Sequence, residues 1–503
     1  MNPRPATASA HDARWIAAAL LCVAAVYAAT LSPAPGPSGD NAEFQFLGRV
    51  LGLSHPTGYP LYLLVTHAFQ WALPFGTLAW RINLFSLLCA LAALGALAAI
   101  GRRLDLPGWC LFIALGWLAA TDAWWRLGTV AEVYAPHAAL SFLTLWLFLR
   151  WRDSRERGWL AAGILAHGLS YGNHLTTLLL LPVLVLLVWR TDRRQFACGR
   201  TLAWAVVAIL AGASLYAYVL LRGRMAPDPD VYARIRTAGE FLGYVTGSQY
   251  RGVMGPAGGA EGACARSLWV AALLGREFSV AALPALAGLA LLVRRERTAG
   301  AALCLGAALQ VLVIWQYRIA DIQDYLLPLG GFLALGLAAA MAEAARGLSR
   351  HGRPVRGAVA VAAAVLAAVA LRHAPGRYQY IRAVRGGPDP AALRALATST
   401  TGPAVLLCPH WQQANIAKYH TRGEGLGGGF LDVRIWTPAD TAGSDLPSLR
   451  GSLAELLAQH DRVVVYSREG DPQYDLAAVF RRAGARFEPL DTHLLVLTSV
   501  PPP

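Results

Sequence analysis

The sequence predicts a polytopic α-helical membrane protein that carries a small α/β domain at its C-terminal end. Three observations predict it. Hydrophobic residues make up 56% of the chain and charged residues only 15%, whereas globular proteins average about 25% charged. Apolar runs such as "RWIAAALLCVAAVYAATL" and "GAVAVAAAVLAAVAL" recur, at lengths that suit the hydrocarbon layer of a bilayer. That pattern stops near residue 373, beyond which short strand-like and helix-like stretches alternate.

Candidate spans fall at 13–31, 80–101, 107–122, 132–150, 159–172, 175–190, 201–222, 277–293, 299–316, 325–345 and 356–372, about eleven in all. The first is read as a retained helix, because the Pro-rich "LSPAPGPSGD" after it offers no small-residue cleavage site. Arginines follow every second span: Arg102 and Arg103, then Arg150 to Arg157, Arg190 to Arg200, Arg294 to Arg297 and Arg346 to Arg356. Basic loops orient a membrane protein with that side in the cytoplasm. The net charge of +14 is thus a matter of topology, not of nucleic-acid binding. The seven cysteines form no CxxC pair and read as small apolar residues.

On this frame, residues 1–373 form the membrane domain, with a first outer loop at 32–79 and another at 223–266. Residues 374–503 form an extracytoplasmic α/β domain. Its strand-like runs are "PAVLLC" (403–408), "RVVVYS" (462–467) and "HLLVLTSV" (493–500), separated by helix-like "LAELLAQH" and "YDLAAVFRRAG". "GEGLGGGF" (423–430) reads as a loop, since no strand precedes it to make a phosphate cradle. The polar chemistry, including Asp40, Glu43, Asp122, Glu132, Asp321 and Asp324, gathers on the outer face.

The most informative stretch is "SGDNAEFQFLGRVLGLSHPTGYPLY", residues 38–62. Asp40 at the N-cap and Glu43 three residues later fit a capping box. The helical wheel adds a second reading. At about 100° per residue, Asn41, Gln45, Gly48, Arg49 and Gly52 form the polar face, and Glu43 falls within the apolar arc. A carboxylate there is costly unless paired or used. Asp40 and Glu43 are therefore candidate catalytic groups, base and support. The segments 41–53 and 59–73 are expected as interfacial helices on the outer leaflet.

These residues resemble a known family. "GDNAEFQFLGRVLGLSHPTGYPLY", "WRINLFSLL", "AEVYAPHAAL", "YGNHLT", "FLGYVTGSQYRG" and "DYLLP" occur in matching order across residues 15–330. Together they look like the membrane glycosyltransferase family of the eukaryotic O-mannosyltransferases that modify plexin-type receptors, with its bacterial relatives. The resemblance implies a glycosyltransferase C-type fold, a polyprenyl-phosphate sugar donor and an outward-facing site. Carried over, Asp40 matches the acidic motif of the first outer loop and Glu43 its second carboxylate.

Other candidates come from placement. Arg81 and Arg318 are cations on the acidic side and are expected to hold the donor phosphate. His55, Tyr59, Glu132, Tyr134, Asn173, His174, Gln249, Tyr250 and Asp324 are candidate substrate contacts; a Glu132–Arg126 ion pair is the structural alternative for Glu132. No HxxxH-type spacing marks a metal site. No cofactor is required on this reading, and a divalent metal is left open. The expected activity is inverting transfer of a mannose-like hexose from a polyprenyl-phosphate donor to a protein, glycan or lipid acceptor. The Ala/Arg-rich composition points to a bacterial plasma (inner) membrane, with the C-terminal domain in the periplasm. The alternative is a lipid-linked saccharide or polysaccharide transporter, which would show internal repeats and midplane charges.

Overall fold

The computed structural model describes residues 10–36, 40–225, 230, 232–255, 259–350, 388–426, 431–437, 445–471 and 474–502, with scattered positions between 357 and 379. Seven of its helices are long and apolar enough to cross a membrane: His11–Ala29, Leu78–Arg103, Leu175–Ala197, Gly199–Arg224, Gly259–Arg295, Arg297–Gln316 and Ile322–Arg350. Helices at Gly108–Ala120, Tyr134–Ser154 and Arg157–Ser170 complete the bundle. Ten of the expected spans thus coincide with helices. The span at 356–372 lies outside the described residues. The segment 223–266, expected as an outer loop, is shorter than that, because its last helix already begins at Gly259. The chain is an integral multi-pass membrane protein.

The bundle is held by close backbone approach as much as by large side chains. A Cβ on Gly288 would lie 1.7 Å from the Gly336 carbonyl oxygen. The helices Ala282–Arg295 and Leu326–Arg350 therefore meet through small residues, the usual solution where lipid tails compete equally for apolar side chains. The arginine loops converge at one end. Arg103 pairs with Asp153, Arg152 with Glu296, and Arg155 donates to the Thr191 carbonyl. Asp12 accepts from the Gly108 backbone at the same end.

The opposite end is capped by the C-terminal unit. Its five strands are β1 (Ala404–Cys408), β2 (Leu431–Ile435), β3 (Arg462–Tyr466), β4 (Arg486–Pro489) and β5 (Leu494–Ser499). The sheet order is β2-β1-β3-β5-β4, parallel from β2 to β3 and antiparallel beyond. Strand alternation splits the core. Leu406, Cys408, Val464 and Tyr466 face the helices Pro388–Ser399 and Trp411–Lys418. Val405, Leu407, Val463 and Val465 face Leu446–Gln459 and Leu476–Arg482. The three central strands match the expected runs; β2 and β4 do not appear among them.

Between bundle and cap lie the two amphipathic helices, Asn41–Val50 and Pro60–Ala72. Only the second keeps an outward apolar face, with Trp71 61% exposed. The first is buried from Asn41 to Gly48, and Ala42 belongs to the core of the C-terminal unit. It is a sandwiched helix, not the leaflet-surface helix expected, because the C-terminal unit covers the face that would otherwise meet lipid or water.

Candidate active site

The Asn41–Val50 helix starts without a side-chain cap on Asp40. The capping box suggested by the spacing does not form. Both carboxylates turn to His55 instead. His55 Nε2 lies 3.4 Å from Asp40 Oδ2, and Nδ1 lies 3.3 Å from each Glu43 oxygen. The His55 backbone N–H donates to Glu43 Oε1 at 3.0 Å. The Tyr59 hydroxyl lies 3.2 Å from His55 Nε2. Tyr59 is held in the left-handed region, φ 42° and ψ 51°, a conformation costly for a bulky residue and tolerated where packing dictates it. That turn aims its ring between His55 and His174, with which it stacks at 5.8 Å.

The charges follow from burial and pairing. Burial drives Asp40 up, to about 7, against the opposing pull of His55 and with a further rise from Glu43. Burial also works to raise Glu43, but the His55 charge and hydrogen bonds outweigh it and hold the carboxyl below its usual range. Burial disfavours charge on His55, yet Asp40 and Glu43 together lift it to about 9. The result is an imidazolium bridging an ionised Glu43 and an Asp40 poised near neutrality.

Asp40 is positioned from below. Glu132 Oε1 accepts from the Asp40 backbone N–H at 3.2 Å and from Asn41 Nδ2 at 2.8 Å. Glu132 is 3% exposed and its other oxygen is buried without a partner. Burial, reinforced by Asp40, raises its carboxyl well above the usual carboxylate range, which favours the neutral acid. The alternative Glu132–Arg126 pair does not form as an ion pair; Arg126 binds Asp324 and Asp122.

Asp40, Glu43 and His55 open on a cavity of about 800 Å³. Of the expected substrate contacts, His55, Tyr59, Tyr134, His174 and Tyr250 line it. Glu132, Asn173 and Asp324 lie behind the wall: Asn173 donates to the Val133 carbonyl and Asp324 pairs with Arg126. Gln249 stands beside Tyr250 without lining the cavity. The expected phosphate ligands need correction. Arg81 spends its guanidinium on the carbonyls of Gln70, Phe75 and Gly76, closing the turn after the second amphipathic helix. Arg318 turns toward the Gly252 carbonyl; neither lines the cavity. Lining residues missed in the sequence include Asp321, Tyr232, Tyr317, Tyr325 and Arg251, and from the C-terminal unit Trp411, Asn415 and Lys418. The last three recur at helical spacing, a signal that was legible.

One wall is apolar. Leu175, Leu178, Leu179, Val313 and Met254 form it, where the segment Leu175–Leu180 meets the helix Arg297–Gln316. Leu178 is 56% exposed, so this wall continues onto the outside of the bundle.

The carboxylate–histidine cluster could hold a divalent cation, since one ligand atom from each residue lies within 4.8 Å of the others. The donor types suit it. His55 bridges the two carboxylates, with Nε2 toward Asp40 and Nδ1 toward Glu43, and as a ligand it would have to offer one of these nitrogens unprotonated.

The fold is that of polytopic membrane glycosyltransferases of the C type. It superposes on ArnT from Cupriavidus metallidurans in the apo state with a TM-score of 0.64 at 13% identity, over 96% of this chain and 98% of that one. The same protein bound to undecaprenyl phosphate gives 0.63 at 14% identity, over 98% of each chain. The mycobacterial arabinofuranosyltransferase AftD gives 0.53 at 15% identity, over 96% of this chain and 41% of that one. Part of the sequence matches a known family: residues 40–197 are similar to the protein O-mannosyl-transferase TMEM260 N-terminal domain. The mouse (Mus musculus) protein O-mannosyl-transferase TMEM260 is 29% identical over 211 residues, 41% of this chain. The Dictyostelium discoideum protein O-mannosyl-transferase tmem260 is 24% identical over 247 residues, 45% of this chain. The matched segments span 30% and 29% of those two relatives.

Proposed function

We propose that this protein is a membrane glycosyltransferase that moves a mannose-like hexose from a polyprenyl-phosphate donor to a hydroxyl of a protein, glycan or lipid acceptor. The observation that carries the reading is a cavity of two natures. Buried acids and aromatic rings form its floor, and an apolar wall leads out between helices toward the lipid. That shape suits a ligand with a sugar at one end and an isoprenoid chain at the other. The names of the O-mannosyl-transferase relatives and the undecaprenyl phosphate bound by ArnT support the same chemistry.

In this mechanism Asp40 takes the proton of the acceptor hydroxyl as its oxygen attacks the anomeric carbon. The new C–O bond forms as the bond from that carbon to the phosphate oxygen breaks. The electron pair leaves with the polyprenyl phosphate. One displacement inverts the anomeric centre. His55 keeps Asp40 and Glu43 from repelling each other and orients Asp40, and Tyr59 fixes His55. A base that titrates near neutrality is well matched to such a step. The acids lie at the end of the bundle opposite the arginine loops, so transfer takes place on the extracytoplasmic face.

Purified protein in lipid nanodiscs, offered polyprenyl-phosphate mannose, glucose and arabinose, should transfer or hydrolyse one of these sugars, with mannose preferred. No turnover of any of the three, with or without a hydroxyl acceptor, would overturn the reading.

A further inference from the structure

The C-terminal unit touches the membrane bundle where the candidate chemistry lies. Tyr419 is fully buried, and its hydroxyl accepts a hydrogen bond from the Ala79 backbone N–H at 3.1 Å. A Cβ on Gly423 would fall 2.8 Å from Leu78 and 2.9 Å from Phe46. Arg422 lies 4.0 Å from Asp230 of the outer segment. This seating fixes the helix Trp411–Lys418 over the Asn41–Val50 helix.

Two faces of the Trp411–Lys418 helix have different fates. Gln413, Ala414, Ile416 and Ala417 are buried. Trp411, Asn415 and Lys418, spaced i, i+4 and i+7, share the other face and all three line the cavity while only partly buried. Asn415 Nδ2 donates to Glu43 Oε2 at 3.4 Å. An indole, an amide and an ammonium on one stripe are not what a purely structural contact needs. They are what a phosphorylated sugar asks for: an aromatic face for the ring, an amide for hydroxyls and a cation for the phosphate. Cations are scarce here. With Arg81 and Arg318 turned elsewhere, the arginine and lysine side chains among the described lining residues are Arg251, exposed, and Lys418, within the stripe.

We infer that the C-terminal unit forms a working wall of the chamber, and that Lys418 is a ligand of the donor phosphate. This rests on the polyprenyl-phosphate reading given above. The unit then has a direct part in the reaction: its ammonium meets the negative charge that builds on the phosphate as the sugar leaves.

The test uses the full-length protein and undecaprenyl phosphate as probe, with inorganic phosphate alongside. Binding is measured for wild type, Lys418→Met, Lys418→Gln and Lys418→Arg, each with its melting temperature. Loss of the ammonium should weaken undecaprenyl phosphate binding roughly tenfold or more and raise the donor KM in step. Lys418→Arg should keep binding within about threefold, since charge and donors remain. A purely structural Lys418 would lower the melting temperature and leave the affinity of the folded fraction unchanged. If Lys418→Met and Lys418→Gln bind undecaprenyl phosphate as wild type does while wild type transfers sugar, the inference fails and the transferase reading stands. If wild type binds undecaprenyl phosphate through Lys418 yet turns over no donor, the transferase reading fails and the phosphate site stands. Binding of inorganic phosphate as tight as that of undecaprenyl phosphate would overturn the assignment to a lipid-linked donor.

Discussion

At the scale of single residues, the arrangement turns on how His55 lies between two acids. Asp40 makes no capping bond with its side chain, and asparagine caps about as well as aspartate. Asp40→Asn should therefore fold and melt like wild type, yet lose roughly two to four orders of magnitude in kcat, the usual worth of a general base. Normal transfer by a stable Asp40→Asn protein would remove Asp40 from the mechanism. The pH profile carries the same logic. Asp40 works ionised and its carboxyl sits at about 7, so kcat should fall as pH drops through that value. His55 must stay protonated to bridge the acids, and its pKa is about 9, so kcat should fall again above it. A rate that holds level from pH 5 to 10 contradicts both roles. The imidazolium bridge also predicts that EDTA leaves sugar transfer unchanged. Loss of activity on chelation, restored by added Mg²⁺ or Mn²⁺, would mean that the cluster binds a cation and that His55 is neutral.

At the scale of elements, the first amphipathic helix matters most, because its N-terminus places Asp40. Glu132 holds that N-terminus through the Asp40 N–H and the Asn41 amide. Burial favours its neutral form, with which Glu132→Gln is nearly isosteric, so that variant should retain most of the activity. Glu132→Ala removes the acceptor of the partly buried Asp40 N–H and leaves Asn41 Nδ2 with the Ala131 carbonyl; an unmet donor costs about 1–3 kcal/mol, and kcat should fall well below that of the Gln variant. Equal kinetics for Gln and Ala would show that Glu132 does not position the helix. Between the bundle helices, Gly288→Ala would drive a methyl into the Gly336 carbonyl. It should destabilise by about 1–3 kcal/mol, as overpacking does, read as a lower melting temperature in detergent. The strands tell why some elements were hidden. β1, β3 and β5 occupy the centre of the sheet and read as apolar runs. β2 and β4 are its edges, where "LDVRI" and "RFEP" mix charges and proline into short strands, as exposed edges do.

At the scale of the molecule, the arginine loops and the carboxylate cluster lie at opposite ends of one bundle, which suits the proposed transfer on the face away from the basic side. A single cysteine at Glu156, in the arginine end, should be protected from an impermeant thiol reagent in intact cells. One at Glu488, on the C-terminal unit, should be labelled. Both belong in a background without the exposed Cys22 and Cys264. The opposite pattern would place the chamber in the cytoplasm and sink an extracytoplasmic donor.

What the sequence determined by itself was the part encoded locally. Apolar length sets which segments can span a membrane, charge bias sets which loops lie together, and the wheel put Glu43 on a buried arc. Each of these depends on residues within a few turns of one another. The tertiary structure decided what depends on partners far along the chain. It turned Asp40 and Glu43 from a capping box into ligands of His55. It spent Arg81 on the carbonyls of its own turn, and it brought Lys418 more than 370 residues along the chain to within electrostatic reach of Glu43. A charged side chain takes the best partner the packed fold offers, and spacing in sequence does not say which partner that is.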